Sequence, residues 1–396
     1  MKNRNGKFIG ALLFTLLITG TLLLYQNNAK TETSLRINAI AYDMPQVGDK
    51  IRLDFQIISD ASDFTIIALP DTQHYSEIYP EIFLSQTQWV VENKDALNIV
   101  FVTHLGDIVQ NNDMIPAEWV AADAALNLLD GEVPYGVLPG NHDMQEGGQA
   151  KYYQEYFPAS RYENQDWWGG SFDQNKNNYQ LFSAGGDDYL TLHLQFCPPF
   201  EAIDWANEIV QQYPERKVIV STHGFLYSDA SRMTKCKEHS TGAYPEQIWG
   251  KLIKNNTNIF FVLSGHIPGV ARRADNQGRV VYQILADYQD MEKGGNGYLR
   301  IMTFQPNNDM LQVSTYSPYL NEYLTDDGNQ FKLPFEMTSG KMPTGTVTVS
   351  NGIDECTGSV EEGSCELVLT ILNEFTASYS GDENYKGSTS SDGVSQ

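Results

Sequence analysis

The stretch Ile259-Phe-Phe-Val-Leu-Ser-Gly-His-Ile-Pro268 runs five apolar residues, a small one and a glycine, then stops on a histidine. A continuous apolar run of this length, ended by a glycine, suits a strand buried on both faces. Four other stretches end in the same way. Phe64–Leu69 leads into Pro70-Asp71-Thr72-Gln73-His74, and Ile99–His104 into Leu105-Gly106-Asp107. Tyr135–Leu138 leads into Pro139-Gly140-Asn141-His142-Asp143, and Lys217–Ser221 into Thr222-His223-Gly224. A single Gly-Asp reads as a turn, and a single His as a core or surface residue. Five strand ends carrying carboxylate and imidazole donors read differently, because ligands of open α/β sheets gather beyond the carboxyl ends of the strands. Mixed oxygen and nitrogen donors suit Mn, Fe or Zn better than a thiolate or calcium site.

Working outward, amphipathic stretches separate these runs. Helices are expected over Glu81–Asn93, Ala117–Leu129, Ala202–Tyr213 and Pro245–Asn255, with a further strand at Tyr189–Phe196. This alternation predicts an α/β architecture with helices covering a sheet. Beyond His266 the pattern turns to strands without long helices: Val280–Leu285, Tyr298–Phe304 and Leu311–Tyr316. Asn164–Asn178, rich in Trp, Gly and Asn, reads as a long loop able to cover a site. Near Pro343 the texture changes again, with strand-like Thr344–Ser350 and Glu366–Ile371 forming a small all-β module or part of one. Residues 31–60 suggest a short strand pair.

Composition narrows the class. The chain has 396 residues, 41% of them apolar and 12% aromatic, enough for a sizeable core. A net charge of −24 argues against nonspecific nucleic-acid binding, which needs a cationic surface. It leaves room for a small anionic substrate at a local cation. Lys2, Arg4 and Lys7 precede the uncharged run Phe8–Leu24, so residues 1–29 read as an export signal, or as an anchor holding the membrane through residues 8–24. The expected location is secreted, periplasmic or cell-surface. Export favours disulfides for the four cysteines, and proximity pairs Cys197 with Cys236 and Cys356 with Cys365.

The ordered set Asp71-Thr-Gln73, Gly106-Asp107, Gly140-Asn-His-Asp143, His223 and Gly265-His266 resembles the calcineurin-like metallophosphoesterases. The stretches "LPDTQ", "HLGDIVQN" and "ILADYQD" are similar to an exported bacterial branch of that family. The C-terminal "TGTVTVSNG" and "TASYSGDENYKGSTS" resemble bacterial immunoglobulin-like repeats, which serve as spacers or surface attachments.

The resemblance implies a four-layer α/β/β/α sandwich over residues 62–335. An N-terminal extension at 30–61 would precede it, and an immunoglobulin-like module at 342–390 would follow. It also implies two divalent metal ions. Asp107 would bridge them, with Asn141, His223 and His266 at the second position and Asp71 and Gln73 at the first. His142 would be the general acid for a leaving alkoxide, with Asp143 orienting its ring. The family's first position uses a histidine where this chain has Gln73, and another where it has Pro268. Proline offers no donor and glutamine only a neutral oxygen, so the first position is expected to be weakly held.

His74 is a candidate replacement, while His104 and His193 read as core residues and His239 as a surface one. Arg272 and Arg273 read as a phosphate clamp or as solvated loop charges, and Tyr288 and Asn296 as pocket lining. The implied activity is an exported phosphoesterase acting on a small phosphate ester, monoester or diester. A surface binding protein that has lost turnover is the alternative.

Overall fold

The computed structural model describes residues 33–40, 46–59, 62–236, 242–276, 278–337, 343–371, 373–382 and 385–389. The leader and His239 lie outside them. Two antiparallel strands, β1 (Thr33–Ile40) and β2 (Lys50–Ser59), come first. Then β3 (Phe64–Leu69), β4 (Ile99–His104) and β5 (Tyr135–Gly136) run parallel. Between them lie α1 (Gln73–Glu77), α2 (Pro80–Asn93) and α3 (Pro116–Leu126). After α4 (Lys151–Tyr156) come β6 (Trp168–Phe172), β7 (Asn177–Ala184) and β8 (Asp187–Leu194). Next are α5 (Phe200–Gln212), β9 (Lys217–Thr222), α6 (Pro245–Ile248) and β10 (Ile259–Ser264). The chain continues through β11 (Gly269–Asn276), β12 (Val280–Asp287), β13 (Leu299–Gln305), β14 (Met310–Ser317), β15 (Glu322–Leu324) and β16 (Phe331–Pro334).

Two seven-stranded sheets result. One has the order β15-β14-β13-β3-β4-β5 with β16 against β14; the other runs β11-β12-β10-β9-β8-β7-β6. Strands β8, β9, β10 and β12 are mutually parallel, as β3, β4 and β5 are in the first sheet. The period-two alternation of β3 shows why its run is apolar but for Thr65. Ile66 and Ala68 join Phe101, Ile219, Phe261 and Leu263 in a core between the sheets. Ile67 and Leu69 face outward onto Phe83, Val90 and Trp119 of α2 and α3. On the second sheet, Leu190, Val218 and Val220 face Ile203 and Val210 of α5. Helices therefore cover the outer face of each sheet, giving the four layers α/β/β/α.

Two local expectations are corrected. The segment from Asn164 is not a loop throughout: its middle is β6, paired antiparallel to β7 at the sheet's edge. Aromatic stacking holds it there, Trp168 on Tyr162 at 5.1 Å and Phe172 on Trp205 at 5.8 Å. Strand β5 is also shorter than expected, ending at Gly136, so the site residues after it lie on extended chain.

The C-terminal strands β17 (Thr346–Ser350), β18 (Glu355–Ser359), β19 (Ser364–Val368), β20 (Thr376–Tyr379) and β21 (Ser388–Thr389) complete the fold. Four of them form a sheet ordered β18-β17-β20-β21, while β19 leaves it to pair with β2 in the order β1-β2-β19. Ile51, Leu53 and Phe55 share a core with Val347, Val349 and Tyr379. Sequence separates residues 30–61 from 342–390, yet strand pairing makes the two ends one module. Both expected disulfides are present: Cys356–Cys365 links β18 to β19, and Cys197–Cys236 ties the chain after β8 to the segment before α6.

Candidate metal centre

The ligand-type residues named from the sequence converge where the parallel strands of the two sheets end. Asp107, His223 and His266 present ligand atoms within 4.8 Å of one another. His223 Nε2 is 3.0 Å from Asp107 Oδ2, 3.0 Å from Asn141 Oδ1 and 3.2 Å from His266 Nδ1. Its other nitrogen, Nδ1, donates to the Leu105 carbonyl at 2.9 Å. Metal-bound histidines are held in this manner, the second ring nitrogen anchored so that the first faces the ion. The ring of Phe196 packs against both imidazoles, 5.5 Å from His223 and 4.8 Å from His266.

The backbone is shaped for close approach. Asp107 and His266 both adopt left-handed conformations, with φ of 49° and 71°, a strained region often found at functional sites. A Cβ on Gly265 would come within 2.5 Å of Asp71 Oδ1, and one on Gly140 would collide with the Asp107 carboxylate. No side chain fits at either position.

The second cluster lies beside the first. Asp71 is buried, its Oδ2 accepting the His266 backbone N–H at 3.2 Å. Asp71 Oδ1 and Gln73 Oε1 have no hydrogen-bond partner. Two residues not singled out as ligands join here. Asp287, the last residue of β12, is buried close enough to Asp71 for its charge to raise that carboxyl. The Gln289 side-chain nitrogen reaches Asp287 Oδ2 at 2.8 Å and Asp71 Oδ2 at 3.2 Å, and Gln73 donates to the Gln289 carbonyl oxygen. The "ILADYQD" stretch holds the signal, a strand ending on a carboxylate as those before Asp71 and Asp107 do.

Charge in this space is unbalanced. Burial, then Asp287 and Asp107, pushes the Asp71 carboxyl far above the usual range, and burial raises Asp287 as well. Burial alone would raise Asp107, but His223 holds it below its ordinary value. Burial alone would lower His223, which Asp107 instead raises; burial and His223 push His266 down to about 3. Among the described residues no Lys or Arg forms an ion pair with Asp71, Asp107 or Asp287. Three buried carboxylates share one imidazole partner, His223, which lies 3.0 Å from Asp107 and 3.6 Å from Asp71, and this excess of negative charge with unsatisfied oxygens fits divalent cations.

His142 stands next to this cluster, its backbone N–H on Asp107 Oδ1 at 2.8 Å. Its orientation differs from expectation. The ring Nδ1 meets the Gln110 carbonyl at 2.8 Å, whereas Asp143 is fully engaged with the backbone N–H groups of Ile108, Val109 and Gly140 at 2.8 to 3.0 Å. Asp143 therefore ties the chain after β4 to the chain after β5, and burial pushes its carboxyl up to about 7. The Gln110 segment is itself pinned by buried Glu118, which accepts from the Gln110 and Asn111 backbone N–H groups at 2.9 Å.

The remaining candidates do not join the centre. His74 pairs with Glu77 at 3.1 Å. His104 bonds Thr72 and His193 bonds Thr103, and burial lowers each imidazole to about 3, as neutral core groups. Arg272 donates to the Asp327 carbonyl and covers the Phe331 ring, and Arg273 pairs with Asp275, so neither is a clamp here. Tyr288 is buried with its hydroxyl on Thr315 and Asn329, and the Asn296 carbonyl accepts from Ser317.

Fold and site together define a metal-centred α/β/β/α phosphoesterase class. The chain belongs to the calcineurin-like phosphoesterase family, whose family model matches residues 64–270, just over half of its length. It is 37% identical over 290 residues to the uncharacterized protein YvnB of Bacillus subtilis, across 69% of this chain and 22% of that protein. The chain thus spans about a fifth of the length of the curated relative it matches. Similar solved structures include a dimetal phosphatase from Danio rerio (10% identity, TM-score 0.44, covering 69% of this chain and 99% of that one). GAP50, the anchor in the inner membrane complex of Plasmodium, is 12% identical with a TM-score of 0.43, covering 69% of this chain and 90% of its own. A 5'-nucleotidase from Candida albicans is 13% identical with a TM-score of 0.40, covering 65% of this chain and 52% of its own.

Proposed function

We propose that the chain is an exported phosphoester hydrolase that uses two divalent metal ions, with His142 as its general acid. The observation carrying this reading is the convergence of Asp107, His223 and His266 beside His142, with buried oxygens left unsatisfied next to them. Ions held there would supply polarisation of the phosphoryl oxygens and activation of a water molecule. Asn141, His223 and His266 would hold one ion, Asp71 and Gln73 the other, and Asp107 both.

The chain's own residues provide the rest. Hydrogen-bonded through Nδ1 to Gln110, His142 keeps Nε2 as the nitrogen able to protonate a departing alkoxide. Glu118 keeps that carbonyl in place through the backbone it caps. Phe196 limits water around the two imidazoles. Two disulfides favour work in an oxidising compartment, so a secreted, periplasmic or surface location follows from the same proposal. Two sheets sharing one core support an immunoglobulin-like reading of the module built from the chain ends, as a spacer.

The test is hydrolysis of a chromogenic phosphomonoester and a phosphodiester by the full chain loaded with Mn, Fe or Zn. Turnover of either ester, abolished by both His142→Ala and His266→Ala, is the expected result. Tightly bound ions with no turnover on either ester would favour a binding protein on this fold.

A further inference from the structure

We infer that Asp287 completes the first metal position, taking the place of the nitrogen ligand that Pro268 cannot supply and making that half an all-oxygen site for a hard divalent cation. The inference rests on the metal-hydrolase reading and concerns how its weaker half is built. Sheet register provides the substitution. Strand β10 pairs in parallel with β12, Ser264 opposite Leu285, so the chain leaves the sheet at His266 and at Asp287 side by side. In the antiparallel β11–β12 pair, Asp287 lies opposite Gly269, the residue directly after Pro268. A carboxylate from the neighbouring strand thus occupies the space beside the ligandless proline.

Three features distinguish this from a turn-capping aspartate. First, Asp287 Oδ1 does accept the Gln289 backbone N–H at 2.9 Å, a common turn contact, but that uses only one oxygen. Second, Asp287 shares the Gln289 amide with a buried Asp71 whose Oδ1 has no hydrogen-bond partner, and Gln73 Oε1, equally buried, has none either. Turn capping explains neither. Third, the Gln289 amide has two hydrogens for three acceptors: Asp287 Oδ2 at 2.8 Å, Asp71 Oδ2 at 3.2 Å and the His266 carbonyl at 3.5 Å. The donor these two carboxylate oxygens share is a neutral amide, which brings no positive charge to them.

The donor set of Asp71, Gln73, Asp107 and Asp287 contains no nitrogen or sulfur. Hard cations such as Mg or Mn prefer such ligands, while imidazoles suit Zn or Fe, so the two positions differ in the ion they select.

The experiment strips the full chain with a chelator and titrates it with Mn2+, following ions per chain by calorimetry and the Mn2+ electron paramagnetic resonance spectrum. Wild type is expected to bind two ions with a spin-coupled spectrum. Asp287→Asn and Asp287→Ala are expected to bind one, uncoupled, with at least a tenfold weakening of the other. Without metal, Asp287→Asn should melt no lower than wild type, because it relieves crowding of carboxylates, and its metal-induced rise in Tm should be smaller. Retention of two coupled ions by the Asp287 variants overturns the inference, as does a wild type that takes up only one. A lower melting temperature of stripped Asp287→Asn with metal binding intact also overturns it, by assigning Asp287 a structural role. A wild type that binds no divalent ion overturns the metal-hydrolase reading itself.

Discussion

The half of the centre around His223 and the half around Asp71 solve the same problem with different chemistry. In the first, the Asp107 carboxylate, an amide oxygen and a second imidazole approach His223 Nε2, and the other nitrogen of His223 is fixed by a backbone carbonyl. In the second, carboxylate and amide oxygens crowd together, and two of them have no partner. The nitrogen-rich half is preorganised by contacts present without an ion. The oxygen-rich half is held together against its own charge, so it gains most from a cation and should lose it first.

Asp107 is the ligand proposed to serve both halves, and its removal should give the largest effect. Asp107→Ala should cut kcat/KM by more than about 10³-fold, beyond the loss from a single stabilising donor, with both ions weakened in a metal analysis. A variant that kept half of the centre intact would break the assignment of Asp107 as the shared ligand. His142→Ala separates chemistry from ion binding. Its kcat should fall about 10² to 10⁴-fold with metal content unchanged, and the deficit should shrink for an ester with a highly acidic leaving group.

Legibility in the sequence followed the same division. Strands β3, β4, β9 and β10 are buried on both faces, so each reads as an unbroken apolar run with a ligand after it, and their boundaries agree with expectation to within a residue. Asp287 is harder to read as a ligand, because the "ILADYQD" stretch that carries it resembles the family's exported branch without matching any of its ligand motifs. The role of Gln110 is also hidden, since a backbone carbonyl leaves no trace in residue identity; the resemblance implies Asp143 for the ring contact, as carboxylates orient catalytic imidazoles elsewhere. Pairing of β2 with β19 joins positions more than three hundred residues apart, which local patterning cannot report.

Stability against pH sharpens the contrast between the halves. Above pH 6.5 the lowered His104, His193 and His266 are neutral whether the chain is folded or not. Asp71 and His223, both raised, then bind protons more strongly in the folded chain. Folded-state stability from these groups is therefore lost as pH rises through their raised values. The chelated chain should melt at progressively lower temperature above pH 6.5, and a divalent ion should flatten that slope, as thermal scans at several pH values would show.

A smaller effect is expected at Glu118, whose buried carboxylate holds the segment carrying Gln110. Glu118→Gln should cost about 1–3 kcal/mol, the range for weakening hydrogen bonds to a buried charged group. It should lower kcat more than KM, because the His142 ring loses its fixed partner while the ion ligands stay in place.

The most direct measurement is turnover of one phosphate ester by the full chain as a chelator removes its ions and a divalent salt restores them. The expected result is loss of turnover in step with loss of bound metal, recovery on readdition, and no recovery in His223→Ala. Turnover that persists after the ions are gone, or that His223→Ala retains in full, would contradict a catalytic metal centre at these strand ends.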